Sequence, residues 1–340
     1  MSIENLTLSR RTLVAGCAAA AALAGCGKKE EAAPASTSSA DSKEPLTIGI
    51  VQLVEHEALD AAVRGIVDGL AERGWKDGEK IKFDRQNAQA DQSNLHNIAA
   101  RFASEKAALV FAVATPAAQA VASVVKNTPI LATAVTDFAS AKLVKSNEAP
   151  GGMVTGVSDI GPIAEQLRLL TELVPQAKRV GTIYNSSEVN STYQVDILKE
   201  AAKPLGIEIV EATVSNVNDI QQAVVSIRDK VDALYLPTDN VIASAVPALM
   251  KVVEPAKLVT VAGERGMTRA GCLGSISIDY YELGKLTGHM GADVLEGKAK
   301  PAEMPVQRQK EGKRVFNLRT AEAIGFKIPA KLLEGAETFK

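Results

Sequence analysis

The sequence predicts an α/β protein of two doubly wound lobes, each built on a mostly parallel sheet. Three observations carry this. From residue 46, short β-rich runs alternate with amphipathic helical stretches, the pattern of parallel strands covered on both faces. The alternation begins afresh near residue 179. Both openings then run strand, polar loop, helix, glycine, and Gly49 and Gly74 stand as far apart as Gly181 and Gly206. An internal repeat of one lobe would produce that match.

The elements follow in order. Leu46 to Val51 is β-rich, bounded by Pro45 and Gln52. Leu59, Ala62, Val63, Ile66, Val67 and Leu70 form one helical stripe that Gly74 ends. A strand at 81–84, a helix at 92–105 and the apolar strand Leu109 to Val113 come next. A helix follows with Pro116 in its first turn, where a missing N–H costs nothing. A strand at 129–132 completes the first block. The second block predicts strands at 179–184 and near 207–212, 232–236 and 257–261, with helices at 190–203 and near 217–228 and 241–252. A helix at 281–297 and a strand at 315–318 come after both blocks and are expected to cross back between lobes. Lobe one is therefore expected over 46–157 with about 281–302, and lobe two over 158–278 with about 303–340. Extended segments at 155–158 and 275–278 are the expected hinge strands, with Gly156 and Gly274 easing their dihedral changes.

Ahead of the lobes, Ser9-Arg10-Arg11 opens a short apolar run ending in Leu23-Ala24-Gly25-Cys26. The run is too short to span a bilayer, so residues 1–26 read as an export signal. The last four residues resemble the bacterial lipobox, which implies lipidation at Cys26 and a protein held at a membrane from outside the cytoplasm. The arginine pair resembles a twin-arginine signal, with the general secretory route as the alternative. Residues 27–45 are small, polar and rich in Ser, Ala and Pro, the composition of a flexible tether. Cys17 leaves with the signal, so Cys272 is the one thiol left in the body and no internal disulfide is expected. With 38 basic against 40 acidic residues there is no basic surplus to hold nucleic acid.

Ligands of open parallel sheets bind beyond the carboxyl ends of the strands. Lobe one places Gln52, Glu55 and His56, then Thr115, then Thr136 and Asp137 at such ends. Lobe two places Asn185, Asn190 and Ser191, then Thr238, Asp239 and Asn240, then Glu264. The crossing segments add Asp159 and Asp279. A free amino acid needs anions for its ammonium, which Asp137, Asp239 or Asp279 could supply. Its carboxylate needs neutral donors, which Thr115, Thr136, Ser191 and helix N-terminal amides could supply. Helix capping explains Thr115, Ser191, Thr238 and Asp239 equally well one at a time. Asp239→Ala is expected to weaken ligand binding without unfolding the protein.

Motifs for enzymatic chemistry are missing: no phosphate loop, Gly-x-Gly-x-x-Gly, Gly-x-Ser-x-Gly or His-Glu-x-x-His occurs. His56, His96 and His289 lie too far apart for a metal motif. No enzyme activity, metal or cofactor is expected.

Several segments together resemble one family. They are Gly49-Ile-Val-Gln-Leu-Val-Glu-His-Glu-Ala-Leu-Asp60, Ala114-Thr-Pro-Ala-Ala-Gln-Ala120, Thr133-Ala-Val-Thr-Asp137 and Gly156-Val-Ser-Asp159. Ile183-Tyr-Asn185, Pro237-Thr-Asp-Asn240 and Ile278-Asp-Tyr-Tyr-Glu-Leu-Gly284 continue the match. The chain resembles the substrate-binding lipoproteins of ABC importers in the tryptophan/tyrosine-binding group. The resemblance implies a type I periplasmic-binding-protein fold with three crossovers between lobes. It also implies delivery of a ligand, an aromatic amino acid in characterised relatives, to a membrane permease driven by an ATPase partner, with an aliphatic or other small amidated or carboxylated molecule as the alternative ligand. Gln52, Thr115, Thr136, Asp137, Asn185, Asp239 and Asp279 occupy the matching motif positions. One loop, Ala262-Gly-Glu-Arg-Gly-Met267, departs from the family pattern, and Glu264 and Arg265 are expected to line the cleft there. Tyr184 and Phe138 are the aromatic candidates to stack on a ligand. A ligand sensor that engages a membrane receptor, and an exported α/β enzyme, are the alternatives.

Overall fold

The structure is a computed structural model that describes residues 44–309 and 311–340. The expected signal, the lipobox with Cys26, and all of the expected tether except Glu44 and Pro45 lie outside the described residues. Two sheets organise the rest. The first contains β1 (Leu46–Gln52), β2 (Ile81–Asn87), β3 (Leu109–Val113), β4 (Ile130–Val135), β5 (Val154–Ser158) and the short β11 (Gln307–Arg308). Its spatial order is β11-β5-β4-β3-β1-β2, parallel throughout. The second contains β6 (Arg179–Asn185), β7 (Glu208–Val214), β8 (Ala233–Leu236), β9 (Val259–Ala262), β10 (Gly274–Ser277), β12 (Lys313–Asn317) and β13 (Glu337–Phe339). Its order is β13-β12-β10-β9-β8-β6-β7, with β10 and β12 the antiparallel pair.

Helices cover both sheets. Lobe one carries α1 (Glu57–Glu72), α2 (Gln92–Ser104), α3 (Thr115–Val124) and α10 (Tyr280–Leu295). Lobe two carries α4 (Ile163–Leu173), α5 (Val189–Ala202), α6 (Ile220–Ile227), α7 (Asn240–Ser244), α8 (Val246–Val253) and α9 (Arg265–Ala270). It ends with α11 (Leu318–Ala323) and α12 (Ala330–Leu333). The second sheet has a separate apolar cluster on each face, one around Leu170, Tyr235 and Phe316, the other around Ile183, Leu234 and Leu249. That is the burial of a doubly wound sheet. Among the described residues no helix is long and apolar enough to cross a membrane.

The chain passes between the sheets three times: after β5 at Asp159–Pro162, after β10 at Ile278–Asp279, and between β11 and β12. The last passage comes after Arg308, later than the expected point near 303, because Gln307 and Arg308 still pair with Val157 and Ser158. Two exposed polar residues carry no strand pattern in sequence. Gly156 and Gly274 also differ from expectation. They lie inside β5 and β10, and both serve close packing. A Cβ on Gly156, whose φ is +153°, would lie 1.8 Å from the Ala132 carbonyl oxygen. One on Gly274 would lie 2.8 Å from the Phe316 ring.

The second passage leads straight into α10, which packs backbone to backbone on α1. A Cβ on Gly284 would come 2.0 Å from the Ala62 carbonyl oxygen, and one on Gly65 2.1 Å from that of Tyr281. The α1 N-terminus and the second crossing are thereby fixed to each other, and both reach the space between the lobes.

Candidate ligand-binding site

The carboxyl ends of both sheets face a cleft, and an inner cavity lies in it beside the crossing segments. Lobe one contributes His56, Ala134 and Thr136 to its wall. Asp159 and Tyr280 come from the first crossing and from the residue just after the second. Lobe two contributes Asn190, Thr238, Asp239, Asn240 and Glu264. The cavity volume is only about 20 Å³, room for one or two water molecules. A larger outer chamber of about 490 Å³ lies between Leu53, Val54 and Pro116 of lobe one and Asn185, Ser187 and Val241 of lobe two. Glu188 lines the outer chamber and accepts hydrogen bonds from the side-chain amides of Asn190 and Asn240, so it stands between the two spaces.

The lobes touch across the inner cavity. His56 Nε2 lies 3.5 Å from Asn240 Oδ1. Gln194 Nε2 donates to Thr136 Oγ1 at 3.4 Å. Farther out, Arg269 of α9 pairs with Glu57 of α1 at 3.3 Å. The lobes therefore stand closed.

The charges of this wall are carboxylates. Asp159 is 5% exposed, and Tyr280 donates its hydroxyl proton to Asp159 Oδ2 at 2.7 Å. Burial raises the Asp159 pKa against that hydrogen bond. Glu264 accepts the amides of Gly266 and Met267 and so caps α9. Burial lifts its pKa to about 7 against those bonds, with help from the charges of Glu57 and Asp159. Burial, then the neighbouring Asp239, lift Glu188 to about 7 as well. His56 goes the other way, to about 4, because burial disfavours the imidazolium. Among the described residues no lysine or arginine lines the inner cavity.

Three buried side-chain atoms of the lining residues have no hydrogen-bond partner among the described residues: His56 Nδ1, Asp159 Oδ1 and Asn190 Oδ1. Two backbone positions of lobe one are strained. Ala114, just before α3, has φ +90°, and Ala134 in the wall has φ +53°, a region costly for a residue with a Cβ.

The expected site residues divide. His56, Thr136, Asp159, Asn190, Asp239, Asn240 and Glu264 meet at the inner cavity. Asp239 is committed within lobe two: its Oδ1 accepts the Ile242 amide, and its Oδ2 accepts the Asn185 amide and the Ser191 hydroxyl. Asn185 and Ser191 thus hold Asp239 in place. Thr115 begins α3 with its hydroxyl buried and unpartnered, outside the inner wall. Others point elsewhere. Asp279 is exposed and caps α10 through the Tyr281 and Glu282 amides. Glu55 is exposed. Gln52 donates to Asp60 and to the Val54 carbonyl. Asp137 accepts from the Ser140 amide and from Asn147. Tyr184 donates to Glu211, and Phe138 is fully buried in the first core. Arg265 is drawn away from the cavity to Glu337 and the Phe339 ring. Glu188, Gln194 and Tyr280 are absent from the sequence expectation. Glu188 has the clearest signal, three residues beyond the end of a strand in Asn185-Ser-Ser-Glu188.

Two parallel-sheet lobes, three crossing segments and a closed interlobe cavity define a type I binding protein. The chain belongs to the ABC transporter substrate-binding protein family, whose model matches residues 47–340. It is 42% identical over 313 residues to a tyrosine-binding protein of Clostridioides difficile, covering 92% of this chain and 90% of that one. Among solved structures, it resembles an ABC domain from Streptococcus pneumonia in complex with L-Trp. That likeness has TM-score 0.83 and 39% identity, and covers 86% of this chain and 99% of that one. A ligand-free, open substrate-binding protein with adhesive properties from Clostridium difficile gives TM-score 0.67 at 42% identity, over 87% and 99% of the chains. The better overlap with the complex, at lower identity, agrees with the contacts that close the lobes here.

Proposed function

We propose that this chain is the extracytoplasmic solute-binding component of an ABC importer. On this reading it captures a small ligand, an aromatic amino acid by analogy with its relatives, and presents it to a membrane permease with an ATPase subunit. Lipidation at Cys26, after secretory or twin-arginine export, would hold it at the membrane on the periplasmic or cell-surface side. The closed interlobe cavity carries the reading: both lobes, the first crossing and the residue just after the second supply its wall. A ligand that touches both lobes favours the closed state by its differential affinity. A permease that recognises the closed outline would then accept loaded protein only.

A thermal-shift screen of the purified protein against the amino acids tests this. A ligand that binds only the folded state raises the melting temperature by mass action. A shift with tyrosine or tryptophan is the expected result. A shift confined to another class of solute would reassign the ligand and keep the transport role. Cys26→Ser is expected to move the protein from the membrane fraction to the soluble fraction, and retention in membranes would refute the anchor.

A further inference from the structure

We infer that the inner cavity is a seat for the ammonium group of a primary amine, and that this group is the obligatory part of the ligand. The inference rests on the interlobe cleft being the ligand site. The three unpartnered lining atoms are all acceptors. Asn190 donates its amide hydrogens to Glu188 at 3.0 Å and Ser191 at 3.2 Å, which leaves Oδ1 as its free atom. Asn240 gives its amide to Glu188, so its Oδ1 faces His56 Nε2. That fixes the proton of the neutral imidazole on Nε2 and leaves Nδ1 as an acceptor. Asp159 has Oδ2 engaged by Tyr280 and Oδ1 free, in a residue 5% exposed.

A buried acceptor without a donor is costly, and an ammonium brings three donors and no acceptor. Size agrees, because the cavity of about 20 Å³ suits a group no larger than water. Charge agrees too. Asp159, Asp239 and Glu264 line the space, with no cation among the described residues of the wall to balance them. A ligand carboxylate gains less here: among the described residues no basic side chain is in the wall, and two of its three hydroxyls already donate elsewhere, Thr238 to Gln194 and Tyr280 to Asp159. The remainder of the ligand would extend toward the outer chamber past Glu188.

Calorimetry on the purified full-length protein would use matched sets: L-tyrosine, tyramine and 3-(4-hydroxyphenyl)propanoate, with L-leucine, isopentylamine and 4-methylpentanoate beside them. The expected result is that the amine binds within roughly tenfold of its parent amino acid, while the acid binds at least about 100-fold more weakly, the scale of lost charge-assisted hydrogen bonds. Asp159→Asn keeps an acceptor for Tyr280 and removes the charge. It is expected to weaken amine and amino acid by about 100-fold and to leave the weak binding of the acid undiminished. An acid that binds as well as its parent amino acid would overturn the inference and leave the transport role standing. Equal loss of all three compounds in Asp159→Asn would overturn it as well. Amine binding without amino-acid binding would uphold the ammonium seat and refute the amino-acid reading. Failure of every amine and amino acid would overturn both.

Discussion

Asp239→Ala is a test of whether a residue in the wall serves the ligand or the fold. The side chain is 1% exposed and accepts three hydrogen bonds: the Ile242 amide at 2.9 Å, the Asn185 amide at 2.6 Å and the Ser191 hydroxyl at 2.7 Å. The Ile242 bond is the N-cap of α7, and losing such a cap costs about 1 kcal/mol. The Asn185 amide would be left buried without a partner, a loss of about 1–3 kcal/mol. The Ser191 hydroxyl can rotate, so its share is smaller. Against these, removing one of two adjacent buried acids relieves Glu188, whose ionised form Asp239 disfavours. The net expectation is a loss of about 2–3 kcal/mol, a large fraction of the ~5–15 kcal/mol by which folded proteins are usually stable.

Urea unfolding followed by circular dichroism reads this directly, with Asp239→Asn as the control. Asparagine keeps an oxygen for the Ile242 amide but turns its own NH2 toward the Asn185 amide, donor against donor, so it recovers the cap alone and its loss should be at most about 1 kcal/mol smaller than that of alanine. An unchanged midpoint in Asp239→Ala, with ligand affinity alone reduced, would refute the reasoning and return Asp239 to direct ligand contact.

Further expectations follow from the same geometry. Glu264 and Glu188 have pKa values raised from 4.5 to about 7 by burial. The folded protein thus binds more protons than the unfolded chain between those values, and their penalty on stability grows as pH rises from about 4.5 through about 7. His56 opposes them, because its pKa falls from 6.5 to about 4 and costs stability as pH drops through that window. Two acids outweigh one imidazole, so ligand-free protein should melt higher at pH 5.5 than at pH 8, and Glu264→Gln should flatten the slope. Gly284→Ala must part α1 from α10, because the added Cβ meets the Ala62 carbonyl at 2.0 Å. A loss of at least about 2 kcal/mol in urea unfolding is expected. Asn240→Ala removes the contact to His56 across the lobes. Small-angle scattering should then show a larger radius without ligand and an unchanged one at saturation.

The fold was legible because its signals are local. The fully buried strand Leu109 to Val113 and the apolar stripe of α1 state their periods in sequence. What hid were elements without a period, such as the two-residue β11 and the short α9, and the break at Ala245 that divides the expected 241–252 helix into α7 and α8. The site was half legible for a related reason. Position at a strand end brings His56, Thr136 and Asp239 to one cavity, but the same position suits a cap. Sequence does not say which partners a carboxylate will find. Asp279 and Asp159 look alike on paper, since both follow a strand that leads into a crossing. Asp279 meets the free amides of a 16-residue helix and caps it in solvent. Asp159 precedes Ile160 and Gly161 rather than a helix, and keeps one oxygen free inside.

That difference also explains how a ligand could act on the hinge. Asp159 belongs to the first crossing, and the hydroxyl that holds it comes from Tyr280, just beyond the second. Tyr280 opens α10, which is locked to α1 by the glycines at 65 and 284. Helix α1 begins beside His56, which reaches Asn240 in the other lobe. A cation on the free oxygen of Asp159 would strengthen its ionised form and so tighten the bond from Tyr280. Both crossings would then be fixed relative to each other at the moment the lobes meet across the ligand. Tyr280→Phe separates this from simple recognition. It leaves the free oxygen of Asp159 and its charge in place, so the amine preference should persist. The ligand-induced compaction seen by scattering should shrink. A variant that lost amine preference while still closing fully would show that Tyr280 only orients Asp159 and that the hinge closes by other contacts.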